Sequence, residues 1–300
     1  MTNLAGKTVL LTGASRGLGV YIAHALAREQ ATVVCVSRFK SGLDSTCAQI
    51  KALGGKGISI PFDIKNVTEL STLKQQINKV VGSVDIVINN AGIEIYRDFV
   101  DYSLEDLQSI LTINLLAATE LTRLFLPSML ERRSGHIVNI ASLAGKKGVP
   151  YNSIYSASKA GLIMWTDAMR QELAATDTHI SVICPGYISE TGMTVNSRVP
   201  APWLPGISTP TDVANAVIRA IKQNKAEIIV NKNLLTENMA KLMFATGQFF
   251  PEFVDAVYHW LDVVKLNRRR ANATTFATDQ SNAPTSQKEL SPLNNLLISR

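Results

Sequence analysis

The N-terminal part of the chain carries the pattern that most restricts its fold: a buried strand, a glycine-rich turn and an amphipathic helix in succession. The apolar run of residues 7–12 predicts the strand, and it leads into Thr12-Gly13-Ala14-Ser15-Arg16-Gly17-Leu18-Gly19. Glycines let a backbone approach a pyrophosphate, and the free N–H groups of the following helix can bind that pyrophosphate. Glycines also serve tight turns and close helix–sheet packing, so the turn alone does not establish a nucleotide site.

The rest of the first 232 residues continues the alternation of strands and helices. Such alternation is typical of a parallel sheet with helices on both faces. We therefore predict an α/β fold with a doubly wound, Rossmann-like parallel sheet of about seven strands. Strands are predicted at residues 7–12, 32–37, 57–61, 84–89, 135–140, 179–184 and 227–230. Helices are predicted near residues 17–29, 42–53, 67–81, 104–133, 153–175 and 211–223.

Tyr155 and Lys159 form the strongest candidate catalytic pair, because residues four apart lie on one face of a helix. A free phenol has a pKa of about 10 and is a poor acid or base near neutral pH. An ammonium group one helical turn away favours the phenolate and lowers that pKa. The same spacing also occurs by chance on solvated helices, so the pair needs support from other residues.

Ser142 provides such support, since it follows the C-terminal end of the strand predicted at residues 135–140. Open α/β sheets bind ligands beside the carboxyl ends of their strands. A hydroxyl group at this edge can donate a hydrogen bond to a substrate carbonyl, although turn and N-cap serines are also common.

These motifs together resemble those of the short-chain dehydrogenase/reductase family over roughly residues 4–232. The turn at residues 12–19 matches the family's cofactor motif, Asn89-Asn90-Ala91-Gly92 matches its N-N-A-G segment, and Pro185-Gly186 matches the segment after its sixth strand. The resemblance implies hydride transfer between a nicotinamide and a carbonyl or secondary alcohol.

The family's catalytic tetrad is matched, in order and spacing, by Asn114, Ser142, Tyr155 and Lys159. The resemblance implies that Tyr155 is the general acid and that Ser142 orients and polarises the carbonyl oxygen. It also implies that Lys159 binds the nicotinamide ribose and lowers the pKa of the phenol. Asn114 would bend its helix and hold a water molecule of the proton relay.

The same resemblance implies a set of cofactor-binding residues. Asp63 would bind the adenine amino group, and Asn90 would hold the glycine turn or the ribose. Ile188 would pack near the nicotinamide. The full set is Gly13, Ser15, Arg16, Gly17, Leu18, Gly19, Ser37, Arg38, Asp63, Asn90, Ala91, Gly92, Tyr155, Lys159, Pro185, Gly186, Ile188 and Thr191.

The end of the second strand favours NADP(H) as the cofactor. An acidic residue at this position selects NAD, whereas here the strand ends in Val36-Ser37-Arg38. A guanidinium can bind a 2′-phosphate through two hydrogen bonds, and Ser37 can donate a third. Arg16 can approach the same phosphate from the glycine turn, although both arginines would also suit an exposed surface.

One position departs from the family pattern. The family usually has a threonine five residues after the proline of its Pro-Gly segment, where it binds the nicotinamide amide. Glu190 stands at that position, flanked by Ser189 and Thr191. A shift of one residue would bring Thr191 into place.

Several segments are expected to line the substrate pocket: residues 93–96, 143–144, 149–152 and 187–206. An apolar pocket with few charges suits a hydrophobic ketone or aldehyde. The same side chains would also suit packing of the loops on themselves. The candidates are Tyr96, Leu143, Tyr151, Tyr187, Met193, Trp203 and Leu204.

Residues 233–270 form a predicted helical extension of the catalytic domain at residues 1–232, and residues 271–300 a predicted disordered tail. Apolar residues recur at helical spacing in the extension, and Pro251 is expected to begin its second helix. Two interpretations remain open. The helices pack on the domain or across a dimer, or they lie on a membrane surface, as Trp260 and Arg268-Arg269-Arg270 would favour.

Composition narrows the partners and the location. Most of the net charge of +6 lies after residue 264, and no basic stripe is interleaved with aromatic residues, so no nucleic-acid partner is expected. Three cysteines without framework spacing predict reduced thiols. We expect no signal peptide and no apolar stretch of membrane-spanning length, and we therefore predict a cytoplasmic protein, with peripheral contact to a membrane left open. No metal site is expected.

The sequence thus predicts an NADP(H)-dependent oxidoreductase of carbonyl or alcohol substrates, forming a homodimer or homotetramer. Two alternatives remain. A 3-oxoacyl-thioester reductase would need a basic patch for an acidic carrier, and none is convincing. A non-catalytic NADP-binding regulator or scaffold would tend to lose the tyrosine or lysine, and both are present.

Overall fold

A seven-stranded parallel sheet organises the protein, here described from a computed structural model over residues 3–191, 199–200, 207–231 and 234–282. Its strands are β1 (Thr8–Thr12), β2 (Thr32–Ser37), β3 (Lys56–Pro61), β4 (Ile86–Asn89), β5 (Gly135–Ile140), β6 (Thr178–Pro185) and β9 (Glu227–Val230). The strand order is β3-β2-β1-β4-β5-β6-β9. The two short strands β7 (Tyr187–Ile188) and β8 (Ile207–Ser208), which were not predicted, form a separate parallel pair. The predicted doubly wound, Rossmann-like sheet is confirmed.

Helices cover both faces of the sheet and continue into the extension. They are α1 (Leu18–Arg28), α2 (Lys40–Ala52), α3 (Leu70–Val81), α4 (Leu104–Leu111), α5 (Ala117–Glu131), α6 (Ser153–Glu172), α7 (Pro210–Gln223), α8 (Leu234–Phe249), α9 (Pro251–Trp260) and α10 (Val263–Asn282). A π-helical turn, Thr112–Leu116, joins α4 to α5. Every predicted helix is present, and α9 begins at Pro251 as predicted.

Two helices begin with complete capping boxes. The Ser103 hydroxyl accepts from the backbone N–H of Asp106, while the Asp106 carboxylate accepts from the N–H of Ser103. Thr209 and Asp212 repeat the arrangement at α7, where Pro210 occupies the first turn. Reciprocal caps satisfy N–H groups that the helix itself leaves unpaired. The two helices begin close to the predicted positions, residues 104 and 211.

The core lies on both faces of the sheet. Val9 and Leu11 on β1 point towards α1 and α7, and Leu10 between them points to the opposite face, where Phe125 of α5 packs. All four side chains are at most 1% exposed. Because successive residues of a strand face opposite ways, a sheet covered on both faces needs continuous apolar strands. A binding site must therefore lie at the ends of the strands rather than on a face of the sheet.

The extension packs on the catalytic domain. Ala240 of α8 is buried in one cluster with Leu162 of α6 and Val182 of β6. Lys147 and Asp255 of α9 form an ion pair at 2.7 Å. Helix α10 runs past residue 271 into the segment for which disorder is predicted, and residues 283–300 lie outside the described part of the chain.

The expectation that no segment has the length and composition of a membrane span needs correction. Among the described residues, one helix meets both criteria, Leu104–Glu131, formed by α4, the π turn and α5. Half of its apolar window is buried inside the protein, and Leu121 and Phe125 are at most 1% exposed. A core helix of a soluble fold passes the same test, so the feature is weak evidence of membrane insertion.

Candidate active site

One cavity of about 520 Å³ lies at the carboxyl edge of the sheet and brings the predicted site together. Ser142 after β5 and Tyr155 and Lys159 on α6 all line it, and so does the glycine turn after β1. Of all the predicted catalytic and cofactor-binding residues, only Asn114 does not line this cavity. Residues from distant parts of the sequence therefore share one cleft.

Hydrogen bonds lock the glycine turn to the loop after β4. The Thr12 hydroxyl accepts from the backbone N–H groups of Asn90 and Ala91 at 3.0 and 3.1 Å. The Asn90 amide donates to the backbone oxygens of Thr12 and Gly13 at 2.9 and 3.3 Å. These bonds fix the relative positions of two loops that both line the cavity.

Two glycines of the turn are required by space. A Cβ on Gly19 would lie 2.1 Å from the carbonyl oxygen of Gly13, and a Cβ on Gly13 would lie 2.9 Å from the Cα of Ala91. Gly13 also has φ +69°, a conformation that side chains disfavour. The backbone is thus held bare at the start of α1, where N–H groups can meet a pyrophosphate. The turn fits a dinucleotide cofactor.

Lys159 occupies the floor of the catalytic centre. Its ammonium donates to the carbonyl oxygen of Ile140 at 2.8 Å and lies 5.7 Å from the centroid of the Tyr155 ring. Lys159 is 4% exposed and Tyr155 is 9% exposed. Helical spacing places both on one face of α6, as predicted.

The ionisation of this pair differs from the expectation for the tyrosine. Burial raises the pKa of the Tyr155 phenol, and the Glu94 carboxylate raises it further, whereas a hydrogen bond from Ser142 lowers it. Burial lowers the pKa of Lys159 to about 8, with Cys184 and Glu94 acting in the opposite direction. The loss of water therefore outweighs the expected effect of the lysine, and the phenol keeps its proton at neutral pH.

Ser142 lies beside both the phenol and the start of the next loop. Its hydroxyl accepts from the backbone N–H of Ala144 at 3.1 Å and donates to the carbonyl oxygen of Pro185 at 3.5 Å. The N-cap role considered for it is thus real, since the Leu143–Gly145 turn begins at this side chain. The other expected role of Ser142 is a hydrogen bond to a substrate carbonyl. That role requires the side chain to line the cavity, and it does.

Asn114 sits behind the cleft in the π turn between α4 and α5. Its side chain accepts from the N–H of Ile93 at 2.8 Å and donates to the Ile93 carbonyl at 2.9 Å and to the Ser158 hydroxyl at 3.0 Å. A π turn interrupts regular helical bonding and often marks a functional site. Asn114 therefore fixes the loop after β4 against α6.

Two guanidinium groups line the cavity, that of Arg16 in the glycine turn and that of Arg38 directly after β2. They lie 5.6 and 5.3 Å from the centroid of the Phe39 ring. Arg38 also pairs with Asp63 at 3.8 Å while its side chain stays 48% exposed. Ser37, which donates nothing here, accepts from the N–H of Phe39. This edge carries the positive charge that a 2′-phosphate would require.

The segment after Pro185-Gly186 places Thr191 at the cavity. Glu190 has φ +71° and does not line the cavity, whereas Thr191 and Ile188 do. Thr191, one residue after the position expected from the family pattern, is therefore the side chain that lines the cavity.

The substrate end of the cavity is more polar than expected. Tyr96, Leu143 and Tyr187 line it as predicted, but Tyr151 does not, and Met193, Trp203 and Leu204 lie outside the described residues. Glu94 and Asn152 belong to predicted segments but were not singled out. Both line the cavity.

The extension supplies lining that sequence analysis missed: Met243, Phe244, Tyr258, Val263 and Arg270. Helical periodicity identified these helices but carries no signal for which face meets a pocket. Arg270, assigned to a surface cluster with Arg268 and Arg269, is 1% exposed, and only its two neighbours are exposed. That assignment was wrong for Arg270.

Within the described chain, no group of three or more His, Cys, Asp and Glu side chains is arranged to hold a metal.

Comparison with known proteins agrees with this geometry. The family model described as short chain dehydrogenase matches residues 7–201, and the chain belongs to this family of oxidoreductases. Ketoacyl reductase HetN of Nostoc sp. is 66% identical over 90% of this chain and 94% of that protein. Human 17-beta-hydroxysteroid dehydrogenase 13 is 31% identical over 85% of this chain and 83% of its own length. A metagenomic short-chain oxidoreductase, solved in complex with NADP, is 28% identical with TM-score 0.67, over 78% of this chain and 100% of that chain.

We predict that reductase activity declines as the pH rises above about 8, the pKa of Lys159. Below that pH the ammonium stabilises the negative charge left on Tyr155 when the phenol gives up its proton, and above it the amine is neutral. The expected slope of log kcat/KM is about −1 per pH unit. Rate profiles from pH 6 to 10 measure it.

Lys159→Arg should remove this decline because a guanidinium stays charged. Lys147→Arg, which lies outside the cavity, is the matched control. An identical alkaline decline in Lys159→Arg would assign the titration to another group.

Proposed function

We propose that this oxidoreductase uses NADP(H) to reduce a carbonyl group to a secondary or primary alcohol. The observation that carries the proposal is the convergence of Ser142, Tyr155 and Lys159 on a cavity that is continuous with the glycine turn. The bare turn and the N-terminus of α1 would hold the pyrophosphate. Bound NADPH would supply the hydride.

The protein's own groups manage charge and protons. As hydride reaches the carbonyl carbon, negative charge develops on the oxygen, where Ser142 donates a hydrogen bond. Tyr155 gives its proton to the same oxygen, and its raised pKa means that the proton is present at neutral pH. Lys159, charged below about pH 8, stabilises the resulting phenolate. Asn114 positions Ile93 and Ser158 around them.

Preference for NADP(H) over NAD(H) is supported by Arg38 at the end of β2 and by Arg16 in the glycine turn. Arg38 is half-exposed and its ion pair with Asp63 is long, at 3.8 Å, so its guanidinium has donors left for a phosphate. A solved relative in complex with NADP is consistent with this preference.

Two substrate classes are supported. Leu143, Phe244 and Val263 on the cavity favour a hydrophobic ketone or aldehyde. The name of the 66% identical relative, a ketoacyl reductase, favours a 3-oxoacyl thioester. The alternative to an enzyme is a non-catalytic NADP-binding regulator or scaffold. The presence of all four tetrad residues, Asn114, Ser142, Tyr155 and Lys159, argues against that alternative.

The outer face of the extension supports contact with a membrane surface. Leu242 and Phe249 on α8 are 69% and 78% exposed, and Phe253 and Trp260 on α9 are 62% and 78% exposed. Large apolar side chains in such number are unusual on a monomeric surface. Exposed Arg268 and Arg269 on α10 would favour anionic lipids. We propose a cytoplasmic protein that binds membranes peripherally.

A homo-oligomer is supported by a second apolar face on the catalytic domain. Leu104, Leu116 and Met164 are 68%, 51% and 66% exposed on α4, the π turn and α6. A self-complementary dimer interface would bury them.

Replacing the phenol should abolish turnover while leaving the cofactor bound. In Tyr155→Phe the proton donor is lost, so kcat should fall by about 10²–10⁴-fold. The dissociation constant of NADPH, measured by fluorescence, should stay within about threefold because the pyrophosphate and phosphate sites are untouched. Tyr21→Phe, on α1 outside the cavity, is the control. Unaltered turnover in Tyr155→Phe would refute the assigned acid.

Removing the guanidinium of Arg38 should reduce the preference for NADPH. A hydrogen-bonded charge pair contributes about 1.5–3 kcal/mol, so the ratio of kcat/KM for NADPH over NADH should fall roughly 10–100-fold in Arg38→Ala. Lys40→Ala, which removes a nearby exposed cation paired with Asp44, should leave the ratio intact. Equal rates with both cofactors in the unmodified protein would contradict the assignment.

Removing the outer aromatic face should weaken membrane binding. Co-sedimentation with phosphatidylcholine vesicles containing phosphatidylglycerol should fall at least tenfold in Phe249→Ser/Phe253→Ser/Trp260→Ser. Val80→Ser, which replaces an exposed apolar residue on α3, is the control. Equal sedimentation of all three proteins, or none by the unmodified protein, would count against the membrane contact.

A further inference from the structure

The substrate end of the cavity contains a polar group that the proposed chemistry does not use. Glu94 follows the N-N-A-G segment, and its half-buried side chain lines the cavity together with Tyr155 and Lys159. A carboxyl group set this deep is costly unless it is bonded. Because Glu94 shares the cavity with Tyr155 and Lys159, its carboxyl group is placed to contact a bound substrate.

Asn152 is the partner of Glu94 and carries an unsatisfied acceptor. Its amide nitrogen donates to one carboxyl oxygen of Glu94 at 3.2 Å. Its amide oxygen is buried and has no hydrogen-bond partner, although the residue is only 1% exposed and lines the cavity. Asn152 thus holds the Glu94 carboxylate in place, and Glu94 is the residue that presents an acceptor oxygen to the cavity.

We propose that Glu94, held by Asn152, forms a second binding point that accepts a hydrogen bond from a hydroxyl group of the substrate. The inference rests on the proposed carbonyl reduction and narrows its substrate to a hydroxy-ketone or hydroxy-aldehyde. Ser142 and Tyr155 bind the reacting oxygen, and Glu94 binds the second oxygen. Two anchoring points would fix which face of the carbonyl meets the cofactor.

The surrounding charges exclude other donors and acceptors. Arg270 and Lys159 both interact electrostatically with Glu94, so an ammonium group on the substrate would meet two cations. An acidic substrate would meet the Glu94 carboxylate. A neutral hydroxyl group, which has one hydrogen to donate, can bond to the Glu94 carboxylate without either penalty.

Arg270 also lines the cavity, and its guanidinium is held by hydrogen bonds within the protein. Its guanidinium donates to Asn267 and to the carbonyl oxygens of Val199 and Pro200. It lies 5.6 Å from the ring centroid of Tyr96 and 5.2 Å from that of Tyr187. Its charge therefore favours an ionised Glu94 without being the ligand of the substrate.

The ionisation of Glu94 gives the binding point a pH dependence. Burial raises the pKa of its carboxyl to about 7, while Asn152, Arg270 and Lys159 lower it. The ionised form, which accepts more strongly, increases from pH 6 to pH 8. The groups that interact with it are Asn152, Tyr155 and Lys159 from α6 and its start, Tyr96 and Tyr102 from the loop before α4, Tyr187 of β7 and Arg270 of α10.

The test compares substrates that differ by one hydroxyl group. The ratio of kcat/KM for 2-hydroxycyclohexanone or 4-hydroxycyclohexanone over cyclohexanone should exceed ten with one of the two isomers. In Glu94→Leu that ratio should fall at least tenfold, because any effect of the substitution on Tyr155 and Lys159 is common to both substrates and cancels in the ratio. Glu94→Gln, which keeps an acceptor oxygen, should be intermediate. Glu105→Leu, an exposed glutamate outside the cavity, should change nothing.

The pH profile supplies the readout that a purely structural role would not give. The ratio should rise from pH 6 to pH 8 in the unmodified protein and stay flat in Glu94→Gln, because both substrates share the chemistry of Tyr155 and Lys159. A preference for the thioester acetoacetyl-N-acetylcysteamine that weakens with pH would show Glu94 donating to a second carbonyl. That result, or a ratio unaltered in Glu94→Leu, would overturn the proposal.

A measurement of ligand binding distinguishes failure of this proposal from failure of the proposed function. If NADPH is not oxidised with any ketone, the assigned reaction fails, yet thermal unfolding still reports on Glu94. Cyclohexane-1,2-diol or cyclohexane-1,4-diol should raise Tm more than cyclohexanol does in the unmodified protein, and this difference should vanish in Glu94→Leu. Equal shifts in both proteins would refute the hydroxyl-binding point whatever the activity.

Discussion

The hydrogen bonds between Thr12 and the loop at Asn90 are the contacts on which the cleft depends. They join the glycine turn after β1 to the segment after β4. Pairing between β1 and β4 ends with these strands, so the loops that follow them need hydrogen bonds of their own. A net hydrogen bond contributes about 1 kcal/mol, so several acting together can hold a turn whose glycines resist ordering. Behind this clasp, Asn114 ties the same loop to α6. Cofactor cleft and catalytic helix are thereby held in one frame.

Much of this frame could be predicted, because local rules determine it. Apolar strands, capping boxes at Ser103 and Thr209, and the spacing of Tyr155 and Lys159 each depend on neighbours in the sequence. The parallel sheet then brings their ends to one edge. The inner face of the extension could not be predicted, since periodicity shows that a helix has an apolar side but not what covers it. Glu94 was missed because a glutamate in a loop is ordinarily exposed, and only the folded chain shows its burial.

The pKa values show a second limit of sequence reasoning. Spacing of four residues correctly places Lys159 near Tyr155, but the ammonium bonds the Ile140 carbonyl and lies 5.7 Å from the ring centroid. Proximity predicts a lowered phenol pKa, whereas burial, which spacing cannot reveal, raises it and lowers that of the lysine. The two effects suit reduction, since the tyrosine retains the proton to be transferred. The lysine's charge, present at neutral pH, then favours the phenolate only as it forms.

The extension has two faces, and together they link the pocket to the surface. Its inner side chains, Phe244, Tyr258 and Arg270 among them, form one wall of the cavity. Its outer side chains, such as Phe249, Phe253 and Trp260, are exposed on the same helices or at their ends. A helix moves as a unit, so any partner that covers the outer face also restrains the inner wall. If a lipid surface is that partner, an apolar substrate dissolved in it would meet the pocket at the wall nearest the membrane, and Glu94 would then select among such substrates by their hydroxyl groups.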